Sequence, residues 1–390
     1  MRNKTVIGII GCGVISDAYF KGAARSTLVR VKGCADLNPE AAKAKAALYD
    51  ATPMSVAALL DDPDITLVVN LTVPLAHAVV SQQIVEAGKH VYSEKPLAAR
   101  FADAAELMQR AQAQGVRVGC APDTFMGASH QACRRALDAG AIGQPVAGAA
   151  VIMSHGAESW HPSPEFFYKA GGGPVLDMGP YYVTQLVNLL GPVRRAVALA
   201  TIGNATRTIT SAPLKGTTIQ VDVPTTVNGV LEFVGGANVS LSASWDVWKH
   251  NRTSPIEIYG TEGTLLGPDP NFFGNVPRHC GPDGHLCDLD IAAHPFGIAN
   301  RELRNGTMQA DYRMVGLVDM AMAIEQGRAH RASGAMALHV LEVLEGLIAS
   351  SASGRFVELT TRCERPEPVP LGADESVFAA VINEPSRSNA

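Results

Sequence analysis

The sequence predicts an α/β fold with two different sheets. In the first 120 residues, short β-rich apolar runs alternate with helical patterns, which is typical of βαβ units around a parallel sheet. After about residue 122, longer segments with an alternating pattern follow, and these indicate an antiparallel sheet. A length of 390 residues is more than one domain usually has, so we expect two domains that each bury a core.

The first part is predicted to contain five strands, at 6–10, 28–35, 65–71, 90–93 and 116–120. The third is nearly continuous apolar from Ile65 to Val69, as expected of a strand buried on both faces. The helices between the strands have recognisable ends. Asn38 suits the cap of a helix that begins at Pro39, and Gly88 and Gly115 stand where the C-terminus of a helix needs a left-handed residue.

An antiparallel hairpin is the main prediction for the second part. Every second residue is apolar at 227–233 and again at 239–245, on the two sides of a turn at 235–238. This pattern is typical of a sheet with one covered face. Before the hairpin, a helix is predicted at 131–139, and Gly140 ends it.

Two helices are predicted to close the second part, at 312–326 and 335–352, the latter ending near Gly354. Between the hairpin and these helices, the stretch 267–300 is rich in Gly, Pro, Asp and Asn and has no periodicity. We therefore expect it to be a long surface loop. The Pro-rich segment beyond Arg362 is expected to be a strapping tail.

Composition and charge argue against several classes of protein. The 37 acidic residues outnumber the 32 basic ones, the net charge is −5 and no basic block is present, so we expect no nucleic-acid partner. No apolar run reaches the roughly 18 residues of a membrane helix, and the apolar stretch at 6–10 is shorter than the roughly 7 residues of an export segment. The 7 scattered cysteines predict reduced thiols in a cytoplasmic protein.

A glycine-rich motif, Gly11-Cys12-Gly13-Val14-Ile15-Ser16, directly follows the first strand and precedes a helix. Gly11 suits a tight turn, Gly13 leaves the backbone open to a pyrophosphate, and the small Ser16 lets the helix pack on the sheet. Asp36 lies 25 residues beyond Gly11, where a carboxylate can accept hydrogen bonds from ribose hydroxyls. Because an acid there repels a 2′-phosphate, NAD is favoured over NADP. The alternative is that the glycines only form a turn.

Glu94-Lys95-Pro96 follows the fourth predicted strand, at the carboxyl edge where doubly wound sheets bind ligands. An isolated lysine in a loop is usually a solvated charge, but here the surroundings are specific. The stretch 88–97, Gly-Lys-His-Val-Tyr-Ser-Glu-Lys-Pro-Leu, strongly resembles the signature of the Gfo/Idh/MocA oxidoreductases, the glucose-fructose oxidoreductase and inositol dehydrogenase family. The resemblance extends over nearly the whole chain, through 72–77, 140–143, 171–181, 257–263 and 331–339.

The resemblance implies an N-terminal Rossmann domain with a doubly wound parallel sheet, followed by an α/β domain with a large, mostly antiparallel open sheet. We expect an NAD-binding domain at 1–122, a substrate and oligomerisation domain at 123–362 and a tail at 363–390. A homodimer or homotetramer and a substrate between the domains are also implied. The residues expected to contact the cofactor are Gly11, Cys12, Gly13, Val14, Ile15, Asp36, Thr72, His77, Glu94 and Lys95.

In the family, the lysine of Glu-Lys-Pro touches the reacting hydroxyl, and an Asp followed four residues later by a His completes the site. These roles fall on Lys95 and Asp177, but Tyr181 stands at the histidine position. A phenol titrates near pH 10 and an imidazole near pH 6.5. Tyr181 therefore either passes a proton or only forms a hydrogen bond, and Tyr182 is an equally suited neighbour. The order at 72–74, Thr-Val-Pro, also departs from the commoner Thr-Pro-Asn.

Alcohol oxidation itself requires such residue types. The hydroxyl proton must leave as hydride leaves carbon, and a positioned acid/base contributes roughly 10²–10⁴-fold. For Lys95 to be the base, its pKa must fall from about 10.4. Burial beside a positively charged nicotinamide lowers that pKa, whereas Asp177 raises it. The alternatives are that Asp177 only caps a helix after three glycines and that Tyr181 only packs in the core.

The loop 155–169 contains many hydrogen-bonding and aromatic side chains, which suit a polyol ring. The alternative is an ordered surface loop that Trp160 anchors. The residues expected to contact the substrate are Lys95, His155, Trp160, His161, Asp177 and Tyr181. Four possible zinc ligands in the stretch 279–287 match no common spacing, so no metal is predicted.

These observations together predict an NAD-dependent dehydrogenase of a sugar, glycoside or cyclitol, with Lys95 as the acid/base. Two alternatives stay open. One is a hydrolase or lyase in which tightly held NAD oxidises the sugar transiently, so that a glycosidic bond is eliminated. The other is a non-catalytic NAD-binding regulator, which would have no need of Lys95 and Asp177.

Overall fold

Two sheets of different kinds organise the computed structural model, which describes residues 4–303 and 306–379. The first sheet consists of β1 (Thr5–Ile10), β2 (Val29–Ala35), β3 (Thr52–Pro53), β4 (Leu67–Asn70), β5 (His90–Ser93) and β6 (Val118–Cys120). Its order is β3-β2-β1-β4-β5-β6, and every neighbouring pair is parallel. Because the order reverses between β1 and β4, their carboxyl ends form the crevice where such sheets bind ligands. The predicted doubly wound sheet is confirmed.

Five helices connect these strands: α1 (Ser16–Arg25), α2 (Pro39–Tyr49), α3 (Val56–Asp61), α4 (His77–Glu86) and α5 (Phe101–Gln114). Their ends are as the sequence predicts. The Asn38 side chain accepts a hydrogen bond from the Glu40 amide at 3.1 Å, which caps α2. Gly88 and Gly115 have φ angles of 71° and 67° just after α4 and α5. All four residues of β4 are buried, which explains its continuous apolar pattern.

The second sheet is mixed and mostly antiparallel. Its strands are β7 (Pro145–Met153), β8 (Val193–Thr201), β11 (Thr226–Phe233), β12 (Asn238–Ser244), β13 (Ile256–Gly260), β14 (Thr264–Gly267), β15 (Arg278–Cys280), β16 (Leu286–Asp288) and β19 (Val357–Glu358). They have the order β16-β15-β14-β13-β7-β12-β11-β8-β19, in which only β7 and β12 are a parallel pair. Two small ribbons are formed by β9 (Thr206–Thr208) with β10 (Thr218–Gln220) and by β17 (Arg301–Glu302) with β18 (Met308–Gln309). The predicted hairpin is confirmed as β11 and β12.

Helices cover one face of the second sheet. They are α6 (Ala128–Asp138), α7 (Pro174–Leu190) and α9 (Gly334–Ser353), whereas α8 (Val315–Gln326) packs against β6 of the first sheet. α9 packs against α7 and β8, and Gly354 ends it in a left-handed conformation. Among the described residues α9 is also the one helix long and apolar enough to cross a membrane. Half of it is buried, however, and the core helix of a soluble protein has the same length and composition.

The stretch 267–300 is a loop for most of its length, as the sequence predicts, but it contains a short hairpin that the sequence does not predict. β15 and β16 form a hairpin that extends the second sheet from β14. Phe273 and Phe296 from the same stretch are only 2% and 4% exposed. The hairpin was missed because strands of three residues are too short to show an alternating pattern.

The segment beyond Arg362 lies along both parts of the molecule. Arg331 donates hydrogen bonds to the carbonyl oxygens of Glu367 and Pro368, at 2.8 and 3.0 Å. Further on, the Glu375 carboxylate accepts a hydrogen bond from the Thr27 amide at 2.6 Å. These contacts support the strapping tail, of which 380–390 lie outside the described residues. The division at residues 122 and 362 stays a prediction.

Candidate active site

The glycine motif forms a tight loop that is open on one side. Gly11 has a φ of 101°, and a Cβ there would lie 2.6 Å from the backbone of Leu71. A Cβ at Gly13, in contrast, would have no atom within 4 Å, so this face is free to receive a ligand. Ser16 is fully buried and donates a hydrogen bond to the Gly13 carbonyl at 2.7 Å. The loop therefore fits a pyrophosphate at the start of α1.

The carboxylate of Asp36 is held beside this loop. It accepts hydrogen bonds from the backbone amides of Cys12 at 2.7 Å and Asn38 at 2.8 Å. Asp36 directly follows β2 and remains partly exposed. An anchored acid at this place fits the ribose hydroxyls of a dinucleotide.

His77 connects two loops at the carboxyl edge of the first sheet. Its side chain is buried, with Nδ1 2.6 Å from the Pro96 carbonyl oxygen and Nε2 3.0 Å from that of Thr72. Burial lowers the pKa of His77, and the two carbonyls only partly oppose this effect. The Thr72 hydroxyl donates to Asn70 Oδ1 at 2.7 Å. His77 thus links the Thr72 loop to the loop that holds Lys95, and the contact of both residues with the cofactor stays a prediction.

Lys95, Asp177 and Tyr181 lie close together, although Lys95 follows a strand of the first sheet and the other two belong to a helix that packs on the second sheet. Lys95 follows β5, and its Nζ donates to Asp177 Oδ1 at 2.9 Å and to the Asp177 carbonyl oxygen at 2.7 Å. The same ammonium lies 5.1 Å from the centre of the Tyr181 ring. Asp177 and Tyr181 are one helical turn apart on α7. The structure therefore places all three predicted catalytic residues in contact.

The charge of Lys95 depends on two opposing effects. Burial lowers its pKa, but attraction to Asp177, with smaller contributions from Tyr181 and Glu94, raises it by more. The net pKa lies above the ordinary lysine value. A general base needs a lowered lysine pKa, but without bound cofactor the nearby Asp177 carboxylate keeps the pKa of Lys95 raised.

Two alternatives from the sequence are decided by α7. Gly173 occupies the N-cap of this helix, so Asp177 is not its cap. The Tyr182 hydroxyl is directed to Asp269 Oδ1, 3.4 Å away, whereas Tyr181 faces Lys95. Tyr181 is therefore the tyrosine beside Lys95, and its role in the reaction stays a prediction.

Glu94 is surrounded by residues that sequence reasoning missed. It accepts hydrogen bonds from the Tyr19 hydroxyl at 2.9 Å and from the Lys95 amide at 3.0 Å. Arg313 Nη1 lies 3.9 Å from the same carboxylate. No local pattern marks Tyr19 or Arg313, because α1 and the segment before α8 meet Glu94 only through tertiary packing.

Asp123 supports the segment that contains Arg313. Its carboxylate accepts hydrogen bonds from the amides of Met314 at 2.9 Å and Gly316 at 3.0 Å. Burial raises the pKa of Asp123 to about 6, although these amides oppose the effect. The sequence could have marked Asp123 as a candidate site residue, because it follows β6 at the carboxyl edge of the sheet, where ligands bind.

The aromatic loop lies opposite the glycine motif. Trp160 is 59% exposed and its Nε1 donates to the Gly156 carbonyl at 3.2 Å, with the His161 ring edge-on beside it. His155 instead stacks on Trp248, with ring centres 3.4 Å apart. Trp160 and His161 thus face the space in front of α1, while His155 lies to one side.

A buried arginine holds this loop in place. Arg207 donates to the His155 carbonyl at 3.0 Å and to Glu158 Oε1 at 2.7 Å. It also pairs with Asp246, and Glu158 accepts a hydrogen bond from Tyr168. The loop with Trp160 is therefore ordered by a buried charge network and is more than a surface anchor.

Two cavities meet at Trp160. The larger, about 860 Å³, extends from Val14 and Ile15 of the glycine motif to Trp160, His161 and Arg313. The smaller, about 190 Å³, contains Asp177 together with Trp160. Lys95 lines neither of them and reaches the smaller cavity through Asp177.

The zinc alternative has no geometric support in 4–303 and 306–379. His279 and Cys287 are cross-strand partners in β15 and β16. Across those ranges, no group of three His, Cys, Asp or Glu side chains is arranged to hold a metal ion.

Known proteins share this architecture. The 1,5-anhydro-D-fructose reductase of Ensifer adhaerens is 29% identical over 268 residues, which are 67% of this chain and 74% of that protein. The levoglucosan dehydrogenase of Pseudarthrobacter phenanthrenivorans is 25% identical over 293 residues, 68% of this chain and 74% of that protein. A solved levoglucosan dehydrogenase in complex with NADH and L-sorbose has the same fold, with a TM-score of 0.77 at 20% identity over 92% of this chain and 99% of that one.

Two family models match consecutive parts of the sequence. Residues 5–121 match the oxidoreductase family with an NAD-binding Rossmann fold, and residues 130–266 match the GFO/IDH/MocA C-terminal domain. The glycine loop and Asp36 fit the cofactor that the first of these models implies. The chain therefore belongs to the Gfo/Idh/MocA family of NAD-binding oxidoreductases.

Proposed function

We propose that this protein is an NAD-dependent dehydrogenase that oxidises a secondary hydroxyl of a sugar, glycoside or cyclitol, with Lys95 as the acid/base. The observation that carries the proposal is the contact of Lys95 with Asp177 and Tyr181 at the carboxyl edge of the NAD-binding sheet. Support also comes from the relatives, which are named 1,5-anhydro-D-fructose reductase and levoglucosan dehydrogenase.

In this proposal Lys95 exchanges a proton with the substrate hydroxyl. Bound NAD⁺ supplies the hydride acceptor and a positive charge that lowers the pKa of a neighbouring lysine. Deprotonated Lys95 then accepts the hydroxyl proton during oxidation, and protonated Lys95 returns it during reduction. Asp177 holds Nζ at 2.9 Å, so the lysine keeps one orientation through the exchange.

The walls of the cavities suit a hydroxylated ring. Trp160 presents an aromatic face, which packs on the C–H side of a sugar, and Asp177 and His161 offer polar atoms to its hydroxyls. A volume of about 860 Å³ accommodates a sugar together with the adjoining part of a dinucleotide. His155 lies beside Trp248, so its predicted contact with substrate requires a longer substrate than a single ring.

Two further predictions belong with this proposal. All 7 cysteines are free thiols, which supports a cytoplasmic protein. Exposed Leu199 and Val230 line a shallow groove on the open face of the second sheet, which supports a homodimer or homotetramer.

The test is nicotinamide absorbance during incubation of the purified protein with NAD and a panel of inositols, free sugars and glycosides. Continuing NADH formation with one class, absent from a Lys95→Met variant, is the expected result. Cleavage of a glycoside without net NADH would instead identify the transient-redox hydrolase or lyase. If neither reaction occurred with any compound, the dehydrogenase proposal would be contradicted and a regulator favoured.

A further inference from the structure

The large cavity beside the glycine motif has a positively charged wall. Its lining includes Lys21, Arg25, Arg301 and Arg313, which we name the cationic wall, against two acids, Asp17 and Asp311. The whole chain, in contrast, has a net charge of −5. An excess of cations in a concave site attracts anions to it.

The two acids do not neutralise this wall. Asp17 pairs with Lys45, which lies outside the cavity, and accepts a hydrogen bond from Tyr49 at 2.9 Å. Asp311 pairs with Arg301 at 2.6 Å. Within 4–303 and 306–379, the side chains of Lys21 and Arg25 form no ion pair or hydrogen bond. The donors of Lys21 and Arg25 are therefore available to a ligand, although Asp17 attracts the charge of Lys21.

Arg313 is the innermost member of the cationic wall. Its side chain is 22% exposed, and its nearest carboxylate, Glu94, lies 3.9 Å away, beyond hydrogen-bond distance. The guanidinium donates no hydrogen bond to any residue that the structure describes. A planar guanidinium with free donors fits a carboxylate or a phosphate in a bidentate manner.

The backbone holds Arg313 at this position. The next residue, Met314, has a φ of 93°, which is a strained conformation for a residue with a side chain. The Asp123 carboxylate stabilises this conformation by accepting hydrogen bonds from the backbone amides of Met314 and Gly316. Strain that a buried carboxylate compensates is typical of a segment that presents a functional side chain.

Arg313 lies close to the reacting groups. Glu94 is 3.9 Å from the Arg313 guanidinium, and its other oxygen accepts the Lys95 amide at 3.0 Å. A ligand anion on Arg313 would therefore lie in the cavity that Trp160 and His161 also line, and Glu94 connects that arginine to the Lys95 backbone. We infer that the substrate is an anionic sugar derivative whose carboxylate or phosphate binds Arg313, an inference that rests on the proposed dehydrogenase function.

The pyrophosphate of NAD is the other source of such an anion, because Val14 and Ile15 line the same cavity. The cationic wall extends beyond the place of a pyrophosphate, however. Arg25 lies nine residues after the start of α1, which is about 14 Å along a helix axis. The wall is therefore longer than the cofactor's phosphates require.

The experiment compares binding and turnover of matched ligands. Isothermal titration of the NADH-bound protein uses D-glucuronate, D-glucose 6-phosphate and neutral D-glucose, and kcat/KM with NAD is measured for the same compounds. NAD dissociation constants are measured separately by fluorescence. We expect at least one anion to bind the wild type more tightly than glucose, and Arg313→Gln to weaken that binding by about ten- to 100-fold.

Controls separate the possible sources. Arg110→Gln removes the same charge from an exposed position on α5 and should change anion binding less than about twofold. Lys21→Gln tests the wall if Arg313→Gln does not fold, and a loss of anion affinity is again expected. An NAD affinity that falls as much as anion affinity would assign the wall to the pyrophosphate and overturn the inference.

The inference and the proposed function fail in different ways. If the wild type bound glucose and both anions with equal affinity, the inference of an anionic substrate would be overturned, even if neutral sugars were oxidised. Anion binding that depends on Arg313 without any NADH formation supports the anion site and contradicts the dehydrogenase.

Discussion

Replacing Asp177 with asparagine should move the pH dependence of the reaction to lower pH. During oxidation the active form of Lys95 is deprotonated, so kcat/KM rises as the pH passes through the lysine pKa. Asp177 raises that pKa by stabilising the ammonium at 2.9 Å. Asp177→Asn removes the negative charge and keeps a side chain of the same shape, so the pKa must fall.

The distance gives the size of the shift. Two unit charges 2.9 Å apart attract by about 1.4 kcal/mol at the dielectric constant of water and by about 6 kcal/mol at an effective constant near 20. These energies correspond to roughly 1 and 4 pKa units. Because the two side chains are 17% and 26% exposed, water screens part of the attraction, and we expect a shift of about 1–2 units.

The assay is kcat/KM for the oxidation measured across the alkaline range with wild type and variant. A lower plateau is expected as well, because Asp177 no longer orients the ammonium. Asp64→Asn is the matched control, since Asp64 pairs with Lys32 at 2.7 Å on the surface before β4, at the opposite edge of the sheet. An ascending limb at the same pH in Asp177→Asn and wild type would refute the role of Lys95 as the titrating base.

Three further variants test the cofactor, the base and the aromatic loop. Lys95→Met is expected to lower kcat by roughly 10²–10⁴-fold with the Kd for NAD nearly unchanged; normal turnover in steady-state assays would remove Lys95 from the mechanism. Asp36→Ala should reduce the preference for NAD over NADP, because the acid that repels a 2′-phosphate is gone, and an unaltered ratio of kcat/KM values would contradict that role. Arg207→Met leaves Glu158 and Asp246 without their cation and should lower the free energy of unfolding by about 3–5 kcal/mol. Urea denaturation measures this loss, and a wild-type midpoint would show that the network does not stabilise the loop.

Local features were predictable because neighbouring residues determine them. The Asn38 cap and the left-handed Gly88 and Gly115 depend on hydrogen bonds and backbone angles within one turn. The hairpin at β11 and β12 was predictable because apolar and polar residues alternate along the whole of both strands. β15 and β16 were missed because three residues do not make a period.

The sequence by itself determined the cofactor loop, its acidic partner Asp36 and the place of Lys95 after a parallel strand. Each of these depends on a βαβ unit whose geometry follows from a short run of residues. Only the tertiary structure decided which tyrosine meets Lys95, since rotation about α7 directs Tyr181 to the lysine and Tyr182 to Asp269.

The charge of Lys95 and the place of Arg313 also required the tertiary structure. Burial lowers the pKa of Lys95, and attraction to the Asp177 carboxylate raises it. The balance depends on the distance between the two side chains, and Asp177 lies on α7, far from Lys95 in the sequence. Arg313 reaches Glu94 from a segment more than two hundred residues away in the chain. Sequence patterns report local periodicity, whereas electrostatic energies depend on distances that only packing establishes.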